Sequence, residues 1–215
     1  IWIVNIVSKE NNIDPYDSFL MVPGPTIVDS RVRNVMSNNQ MGHLSEEFTE
    51  DFVELLELSK KLFGTKNASP FVITGSGTIA MEATVLSLLE QNNTGLILDT
   101  GYFAQRFGQM LDCYSIKSDI LPFAFGSHAD PDVLKSELNK NNYDAVFITH
   151  VDTSSTVMNN ISDLVKVVKD SGSLAIVDSV CGVGGCELYF DKLDADVVLT
   201  TSQKAIGSVP GAGLM

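Results

Sequence analysis

Residues Leu174–Lys204 read LAIVDSVCGVGGCELYFDKLDADVVLTTSQK. Two short apolar runs, Leu174–Ser179 and Asp196–Thr201, occur in this stretch. Short apolar runs bounded by turn residues are typical of the buried strands of a parallel sheet. The first run carries Asp178 near its end, and Lys204 follows the second. The stretch therefore predicts an α/β fold with an acid and a base at the carboxyl ends of two strands, where such sheets place ligand-facing groups.

The same alternation of apolar runs and helical patterns extends back to Phe71. Further strands are predicted at Phe71–Thr74, Gly95–Thr100 and Asp144–Val151. Amphipathic stretches predict helices at Thr78–Gln91, Phe103–Cys113, Pro131–Lys140 with Asp130 as its N-cap, and Ile161–Ser171. These repeated units predict an α/β fold, a three-layer sandwich with a mostly parallel central sheet.

Ahead of this block, Ser45 and the two glutamates after it predict the start of a helix that runs to about Phe63. Its apolar side comprises Phe48, Phe52, Leu55, Leu56, Leu62 and Phe63. No linker follows this start, so residues 45–215 are expected to form one domain and residues 1–44 an arm with a turn-rich Pro23-Gly24-Pro25 segment. Because the chain stops just after a Gly/Pro-rich turn, we expect the domain to be incomplete at its carboxyl end.

Composition narrows the class of partner. The chain has 215 residues, of which 44% are hydrophobic, and 14 Lys and Arg against 27 Asp and Glu give a net charge of −13. This charge disfavours nucleic acid and anionic membrane surfaces as partners. An anionic ligand would need a local positive feature, such as a helix start or a lysine.

Targeting and cysteine patterns add three expectations. No apolar run approaches the roughly 20 residues of a membrane span, and the opening Ile1–Val4 stretch lacks a basic leader, so a cytoplasmic protein is expected, with organellar import as the alternative. The three cysteines, Cys113, Cys181 and Cys186, are expected to be reduced core thiols. Their spacing does not match a zinc site, and no metal is predicted.

The segment Thr74-Gly75-Ser76-Gly77-Thr78 joins a predicted strand to a predicted helix. Free amides and the positive end of a helix bind phosphate groups, and glycines let the backbone approach an anion closely. The segment therefore favours a phosphate site. It also fits a dinucleotide fingerprint, Gly75–Ala80 with Asp99 as the ribose contact, and an ordinary tight turn is a third interpretation.

Asp178 and Lys204 follow this segment along the chain, and the order of the three features indicates a chemical role. A strand-end carboxylate can pair with a buried cation such as a protonated pyridine nitrogen. A desolvated lysine offers a neutral amine that attacks an aldehyde. Taken singly, they fit a turn aspartate and a surface lysine, but a phosphate turn, a strand-end acid and a strand-end lysine in this order favour chemistry.

Six segments carry a resemblance to a known family: Pro23-Gly24-Pro25-Thr26, Gly42–Phe48, Gly75–Thr78 with Glu82-Ala83, Asp152–Ser155, Val177–Ser179 and Ser202–Lys204. Between about Leu20 and Met215 the chain resembles the class V aminotransferases of the fold-type-I pyridoxal-phosphate superfamily, especially the alanine–glyoxylate and serine–glyoxylate group. The resemblance implies pyridoxal 5′-phosphate as cofactor and a homodimer. It also implies that a small carboxyl-terminal domain, which carries an arginine for the substrate carboxylate, is missing here.

The resemblance also implies the role of each site residue. Lys204 would form the Schiff base with the cofactor and move the proton of the substrate α-carbon as a general acid and base. Asp178 would keep the pyridine nitrogen protonated. The remaining roles are phosphate binding by Ser76, Gly77, Thr78 and Gln203, contact with the phenolic oxygen by Thr153, and stacking on the ring by Phe103.

Three positions near these residues are open to another interpretation. Phe103 also fits an ordinary core position on its helix. His150 closes a predicted strand and is expected to be structural, because the chemistry already has a base in Lys204. After Ser155 the family usually has Thr or Ser with Gly, whereas Thr156-Val157 follows here, so the loop near Thr153 is expected to differ in shape.

The leading hypothesis is a pyridoxal-phosphate-dependent transaminase that moves an amino group from a small amino acid, such as alanine or serine, to a 2-oxo acid such as glyoxylate or pyruvate. Within the superfamily, alternatives are a 2-aminoethylphosphonate-type transaminase, which shares the Gly-Ser-Gly-Thr turn, and a cysteine desulfurase-like enzyme, which would favour histidine at Phe103. Outside it, the alternatives are the dinucleotide-binding domain and a catalytically inactive interaction module.

Overall fold

The computed structural model describes residues 20–215 of the chain. Residues 1–19, which form part of the predicted arm, lie outside the described residues. The helices are α1 (Ser30–Val35), α2 (Glu46–Phe63), α3 (Gly77–Leu88), α4 (Tyr102–Cys113), α5 (Pro131–Leu138), α6 (Ile161–Ser171) and α7 (Phe190–Leu193). The strands are β1 (Val72–Thr74), β2 (Thr94–Asp99), β3 (Lys117–Pro122), β4 (Ala145–Thr149), β5 (Val151–Asp152), β6 (Val157–Met158), β7 (Leu174–Asp178), β8 (Val197–Thr201) and β9 (Ala212–Leu214).

Seven strands form the central sheet, in the order β1-β9-β8-β7-β4-β2-β3. The five strands from β8 to β3 are parallel, and β9 pairs antiparallel with both β8 and β1. The predicted α/β fold with a mostly parallel central sheet is confirmed. In the register of β4 with β7, Thr149 pairs with Asp178, so the carboxyl ends of the two central strands lie side by side.

Two apolar cores, one on each face of the sheet, make three layers. On one face α3 and α4 cover residues such as Phe147, Ile176 and Leu199. On the other face α5, α6 and the end of α2 cover residues such as Ile148 and Val177. Neighbouring residues of β4 and β7 belong to opposite cores because successive side chains of a strand point to opposite faces.

The predicted helix starts match the caps that the structure shows. The Ser45 hydroxyl accepts a hydrogen bond from the Phe48 amide, 3.2 Å away, at the start of α2. Asp130 caps α5, with Pro131 at its first turn. The apolar side predicted for α2 is only partly covered: Phe63 is buried, whereas Phe52 and Leu55 are 38% and 39% exposed.

Three predictions need correction. The strand predicted at Asp144–Val151 ends at Thr149, because the chain then turns into the separate β5–β6 hairpin. Strand β3 escaped prediction because it is an edge strand with mixed polar and apolar residues and several exposed positions. The placement of the cysteines in the core is wrong: Cys113 is exposed at the end of α4, and Cys181 and Cys186 are only partly buried, although all three are free.

Candidate functional site

A cavity of about 130 Å³ opens at the carboxyl ends of the parallel strands, between α3, α4 and the turn after β8. Seven of the eight predicted site residues line it: Ser76, Gly77, Thr78, Phe103, Asp178, Gln203 and Lys204. A larger cavity of about 630 Å³ lies beside Phe63 and Met215, but its walls are mostly apolar. Its charged wall residue, Asp196, is paired with Lys169, so we assign the chemistry to the smaller cavity.

Lys204 stands on a turn that is tied to the neighbouring strand. The Ser202 amide donates to the Ala212 carbonyl at 3.0 Å, and the Ser202 hydroxyl donates to the Val209 carbonyl at 2.6 Å. These bonds tie the turn to β9 just before Lys204, so the lysine leaves the sheet edge from an ordered backbone. A catalytic side chain gains precision from such support.

The Pro23–Thr26 segment lies directly on this turn. The Thr26 amide donates to the Gln203 carbonyl at 3.0 Å, and its hydroxyl donates to the Lys204 carbonyl at 2.8 Å. A Cβ atom at Gly24 would lie 2.8 Å from the Lys204 Nζ, so only glycine leaves the amine its present position. Sequence reasoning assigned this segment to an arm and missed its contact with the lysine, although the Pro-Gly-Pro motif had marked it.

Asp178 is buried at the end of β7, with one carboxylate oxygen engaged. Its Oδ1 accepts a hydrogen bond from the Val180 amide at 2.9 Å, and within residues 20–215 its Oδ2 accepts none. Burial raises the pKa of Asp178 to about 6, and the nearby charges of Asp152 and Lys204 act in opposite directions on it. A cation or an N–H donor in the cavity would satisfy the second oxygen.

The start of α3 is open. Ser76 is the N-cap residue, but its side chain makes no capping hydrogen bond, and the first turn contains no acidic residue. Within the described residues, the amides of Gly77 and Thr78 have no acceptor. Next to them, the Thr201 hydroxyl donates to the amide oxygen of Gln203 at 2.7 Å, which leaves the Gln203 amino group free to donate. These donors form a site suited to an anion.

The start of α4 is closed by a side chain that sequence reasoning had not singled out. Asp152 is fully buried, and its Oδ2 accepts hydrogen bonds from the amides of Phe103 and Ala104 at 3.1 and 3.3 Å. Its Oδ1 accepts from the Ser154 amide and hydroxyl. A Cβ atom at Gly101 would lie 2.6 Å from the Asp152 carboxylate, so glycine is required there. This contact orients Phe103 toward the cavity.

Thr153 is the one predicted site residue that does not line the cavity. It lies near the Cys181 thiol, which does line the cavity, and burial raises the pKa of that thiol. The loop after Thr153 turns at Thr156, which has a left-handed φ of 59°. A β-branched residue therefore adopts a conformation that favours glycine at this turn.

Two other residues that sequence reasoning considered have local partners. The His150 Nδ1 lies 2.9 Å from the Ser179 hydroxyl, and burial lowers the pKa of the imidazole, which fits the structural role expected for it. Asp99, the ribose contact of the dinucleotide alternative, accepts hydrogen bonds from the Gly101 amide and the Gln105 side chain instead.

The cavity fits pyridoxal phosphate residue by residue. The open start of α3 suits its phosphate, the free oxygen of Asp178 suits its ring nitrogen, and the Lys204 amine suits its aldehyde. The family profile "Aminotransferase class-V" matches residues 29–215 of the chain.

The chain belongs to the class V aminotransferases. Members of this family within the fold-type-I superfamily use pyridoxal phosphate. An uncharacterised aminotransferase of Methanocaldococcus jannaschii is 36% identical over 202 residues, which are 93% of this chain and 52% of the relative. Alanine–glyoxylate aminotransferase 1 of Saccharomyces cerevisiae is 32% identical over 204 residues, which are 91% of this chain and 53% of the relative.

Solved structures of the same family superpose on this chain. Ureidoglycine–glyoxylate aminotransferase of Bacillus subtilis superposes with a TM-score of 0.87 at 29% identity, covering 90% of this chain and 50% of its own. An alanine–glyoxylate aminotransferase of Nostoc sp. gives a TM-score of 0.88 at 26% identity, covering 96% and 55%. The chain therefore spans about half the length of the class V aminotransferases that it matches.

None of the described helices is long and apolar enough to span a bilayer. Within residues 20–215, no cluster of three or more His, Cys, Asp or Glu side chains could hold a metal ion.

Proposed function

We propose that the complete protein is a transaminase that moves an amino group from a small amino acid, such as alanine or serine, to a 2-oxo acid such as glyoxylate or pyruvate. The observation that carries the proposal is the convergence of Lys204, Asp178 and the open start of α3 on one cavity. The substrate class is supported by the relatives, which include alanine–glyoxylate and ureidoglycine–glyoxylate aminotransferases.

When bound, pyridoxal phosphate supplies an aldehyde that condenses with amines and a protonated ring that accepts an electron pair. The Lys204 amine would hold the aldehyde of the bound cofactor, and it would also carry the proton of the amino donor's α-carbon. The Asp178 carboxylate keeps the proton on the ring nitrogen. The side chain of Phe103 supports the ring face and sets its tilt.

The polar residues around the cavity bind the other ends of the cofactor. Phosphate is held by the amides of Gly77 and Thr78, with hydroxyl and amide donors from Ser76 and Gln203. Thr153 would contact the phenolic oxygen only if its side chain turned toward the cavity, because it does not line the cavity in this structure. The buried sheet edge beneath these groups excludes bulk water, which strengthens each interaction with the anionic cofactor.

The test uses the full-length protein. We expect pyridoxal phosphate to produce an absorbance band near the visible edge, and borohydride to fix the cofactor on the peptide that contains Lys204. The variant Lys204→Ala should lose both signals. Lys192→Ala is the matched control, because Lys192 is an exposed lysine stacked on Tyr189. A folded wild-type protein without a lysine-dependent band would refute the transaminase proposal.

Substrate choice is tested next on the loaded wild-type protein. Alanine, serine and other small amino acids are each mixed with the protein, and the loss of the visible band reports donation of the amino group. Glyoxylate or pyruvate should then restore the band. Loss of the band with 2-aminoethylphosphonate in place of the small amino acids would favour the phosphonate-type alternative.

Homodimer formation is a further part of the proposal, taken from the family resemblance. It is supported by exposed apolar side chains along α2: Phe52, Val53, Leu55 and Leu58 are 38% to 56% exposed. Apolar patches of this kind are common at subunit interfaces. Sedimentation equilibrium of the full-length protein should give twice the chain mass, and a monomer at all concentrations would contradict this part.

A further inference from the structure

Arg106 lies on α4 and lines the same cavity as Lys204. Its Nη1 donates a hydrogen bond to the Thr78 Oγ1 at 2.8 Å, across the gap between α4 and the first turn of α3. The guanidinium also lies 5.7 Å from the centre of the Tyr102 ring. Arg106 thus bridges the two helices whose starts border the cavity, and neither the sequence motifs nor the family resemblance had assigned it a role.

The charge of Arg106 is not neutralised by a protein carboxylate. Among residues 20–215 the ion pairs are Arg31–Asp29, Lys60–Glu57 and Lys169–Asp196, and none includes Arg106. The chain carries a net charge of −13, so an unpaired arginine beside a cavity is a local exception to the field of the molecule. In the described chain, Lys204 and Arg106 are the cationic side chains that line the cavity.

The bond from Arg106 also sets the direction of the Thr78 hydroxyl. Because Oγ1 accepts from the guanidinium, its own proton is available for a different acceptor. Thr78 lies in the first turn of α3, beside the free amides that suit an anion. Donation by the charged guanidinium polarises the hydroxyl and strengthens the bond that it gives in turn.

We propose that Arg106 is a positioning residue of the cofactor's phosphate subsite, which orients the Thr78 hydroxyl toward the phosphate and supplies the positive charge that the subsite otherwise lacks. The inference rests on the proposed function, because it takes pyridoxal phosphate as the ligand. Lys204 cannot supply this charge, since its amine is needed for the bond to the aldehyde carbon. The ligand chemistry that Arg106 recognises is a phosphate dianion.

The experiment compares pyridoxal phosphate with pyridoxal, which lacks only the phosphate. Dissociation constants of both ligands are measured by absorbance on the full-length wild type, Arg106→Gln, Arg106→Lys and Thr78→Val. Arg33→Gln is the matched control, because Arg33 is an exposed arginine that does not line the cavity. Circular dichroism and thermal unfolding of the cofactor-free variants show that each one is folded.

We expect Arg106→Gln to weaken pyridoxal phosphate binding about 10- to 100-fold and to change pyridoxal binding less than about twofold, because a charge-assisted bond acts on the phosphate alone. Arg106→Lys should retain part of the pyridoxal phosphate affinity that Arg106→Gln loses. In the double variant Arg106→Gln/Thr78→Val, the second substitution should weaken binding little further. Inorganic phosphate should compete with pyridoxal phosphate less well in Arg106→Gln than in the wild type.

Other results would overturn the inference. Equal weakening of both ligands would show that Arg106 only supports the packing of α4 on α3, and unchanged affinities would show that it has no part in binding. The proposed function fails separately: in that case the wild type itself forms no borohydride-reducible link at Lys204. If the wild type forms the link and Arg106→Gln binds both ligands normally, only the inference about Arg106 is refuted, and the proposed function stands.

Discussion

Helices α3 and α4 begin at the same edge of the sheet, but a side chain caps the first-turn amides of α4 only. The start of α4 is filled by the Asp152 carboxylate, which takes the amides of Phe103 and Ala104. The start of α3 has no capping side chain, and its free amides face the cavity. Both helix starts carry a partial positive charge. The closed start is part of the scaffold, whereas the open start is the one that we propose holds the phosphate.

The largest effect is expected from opening the closed start. Asp152→Ala removes a buried acceptor of four hydrogen bonds, two from α4 amides and two from Ser154. Each bond to a charged group contributes about 1.5–3 kcal/mol, and the sum is less than additive, so a loss of about 4 kcal/mol is expected. Urea unfolding of the cofactor-free protein measures it. A loss below about 1 kcal/mol would show that water replaces the carboxylate.

Asp178 is a second buried carboxylate, but unlike Asp152 it has one oxygen without a hydrogen bond among residues 20–215. Its pKa rises from 3.8 to about 6, so the folded state binds a proton that the unfolded state has released between these values. Stability of the cofactor-free protein should therefore fall as the pH rises from about 4 to 6, and stay level above that.

In Asp178→Asn this pH dependence should disappear. The variant should be more stable than the wild type by about 3 kcal/mol at pH 8, while it loses the protonated ring of the cofactor. Urea unfolding at several pH values measures the change, with the exposed Asp112→Asn as control. An unchanged pH profile in Asp178→Asn would contradict the raised pKa.

A third variant makes the open start resemble the closed one. Ser76 already has the extended backbone of an N-cap, with φ of −89° and ψ of 171°. Ser76→Asp should stabilise the cofactor-free protein by about 0.5–1 kcal/mol by capping α3. The same carboxylate should weaken pyridoxal phosphate binding about 100-fold, which corresponds to roughly 2.7 kcal/mol.

The neutral cap in Ser76→Asn separates the two effects of that variant. It should stabilise the helix to a similar degree and weaken binding much less than Ser76→Asp, because it adds no negative charge. Equal loss of affinity in both variants, measured by absorbance titration, would mean that the cap blocks the site by its size.

The smallest effect concerns the loop that delivers Asp152 to α4. Thr156 turns this loop with a φ of 59° and an exposed side chain. Thr156→Gly removes roughly 1–2 kcal/mol of strain and adds freedom to the unfolded chain, so a net gain of about 0.5 kcal/mol is expected. Thermal unfolding measures the gain, and a loss of stability would show that the Thr156 side chain has a role of its own.

The sequence predicted the elements whose signals are local. The helix starts at Ser45 and Asp130 were recognisable because a capping residue and the turn after it are neighbours in the chain. The central strands were recognisable as short apolar runs. Strand β3 was not, because an edge strand needs no continuous apolar run.

The site residues also divide into those with a local sequence signal and those without one. Seven of the eight predicted residues line one cavity, since their motifs follow strands that end at one edge. Gly24, Arg106 and Asp152 were not assigned roles, because each acts through a partner that is distant in the chain. Gly24 packs against Lys204, Arg106 bonds Thr78, and Asp152 bonds Phe103.

By itself, the sequence determined the α/β class, the positions of the main strands along the chain and the candidate site residues, because hydrophobic periodicity and motif spacing are properties of short stretches. Only the tertiary structure decided which helix start is open, how the Pro23–Thr26 segment meets Lys204, and that Thr153 does not line the cavity. Hydrogen bonds between distant segments depend on positions to within a few tenths of an ångström, and such positions exist only when the sheet and its two helical layers are assembled.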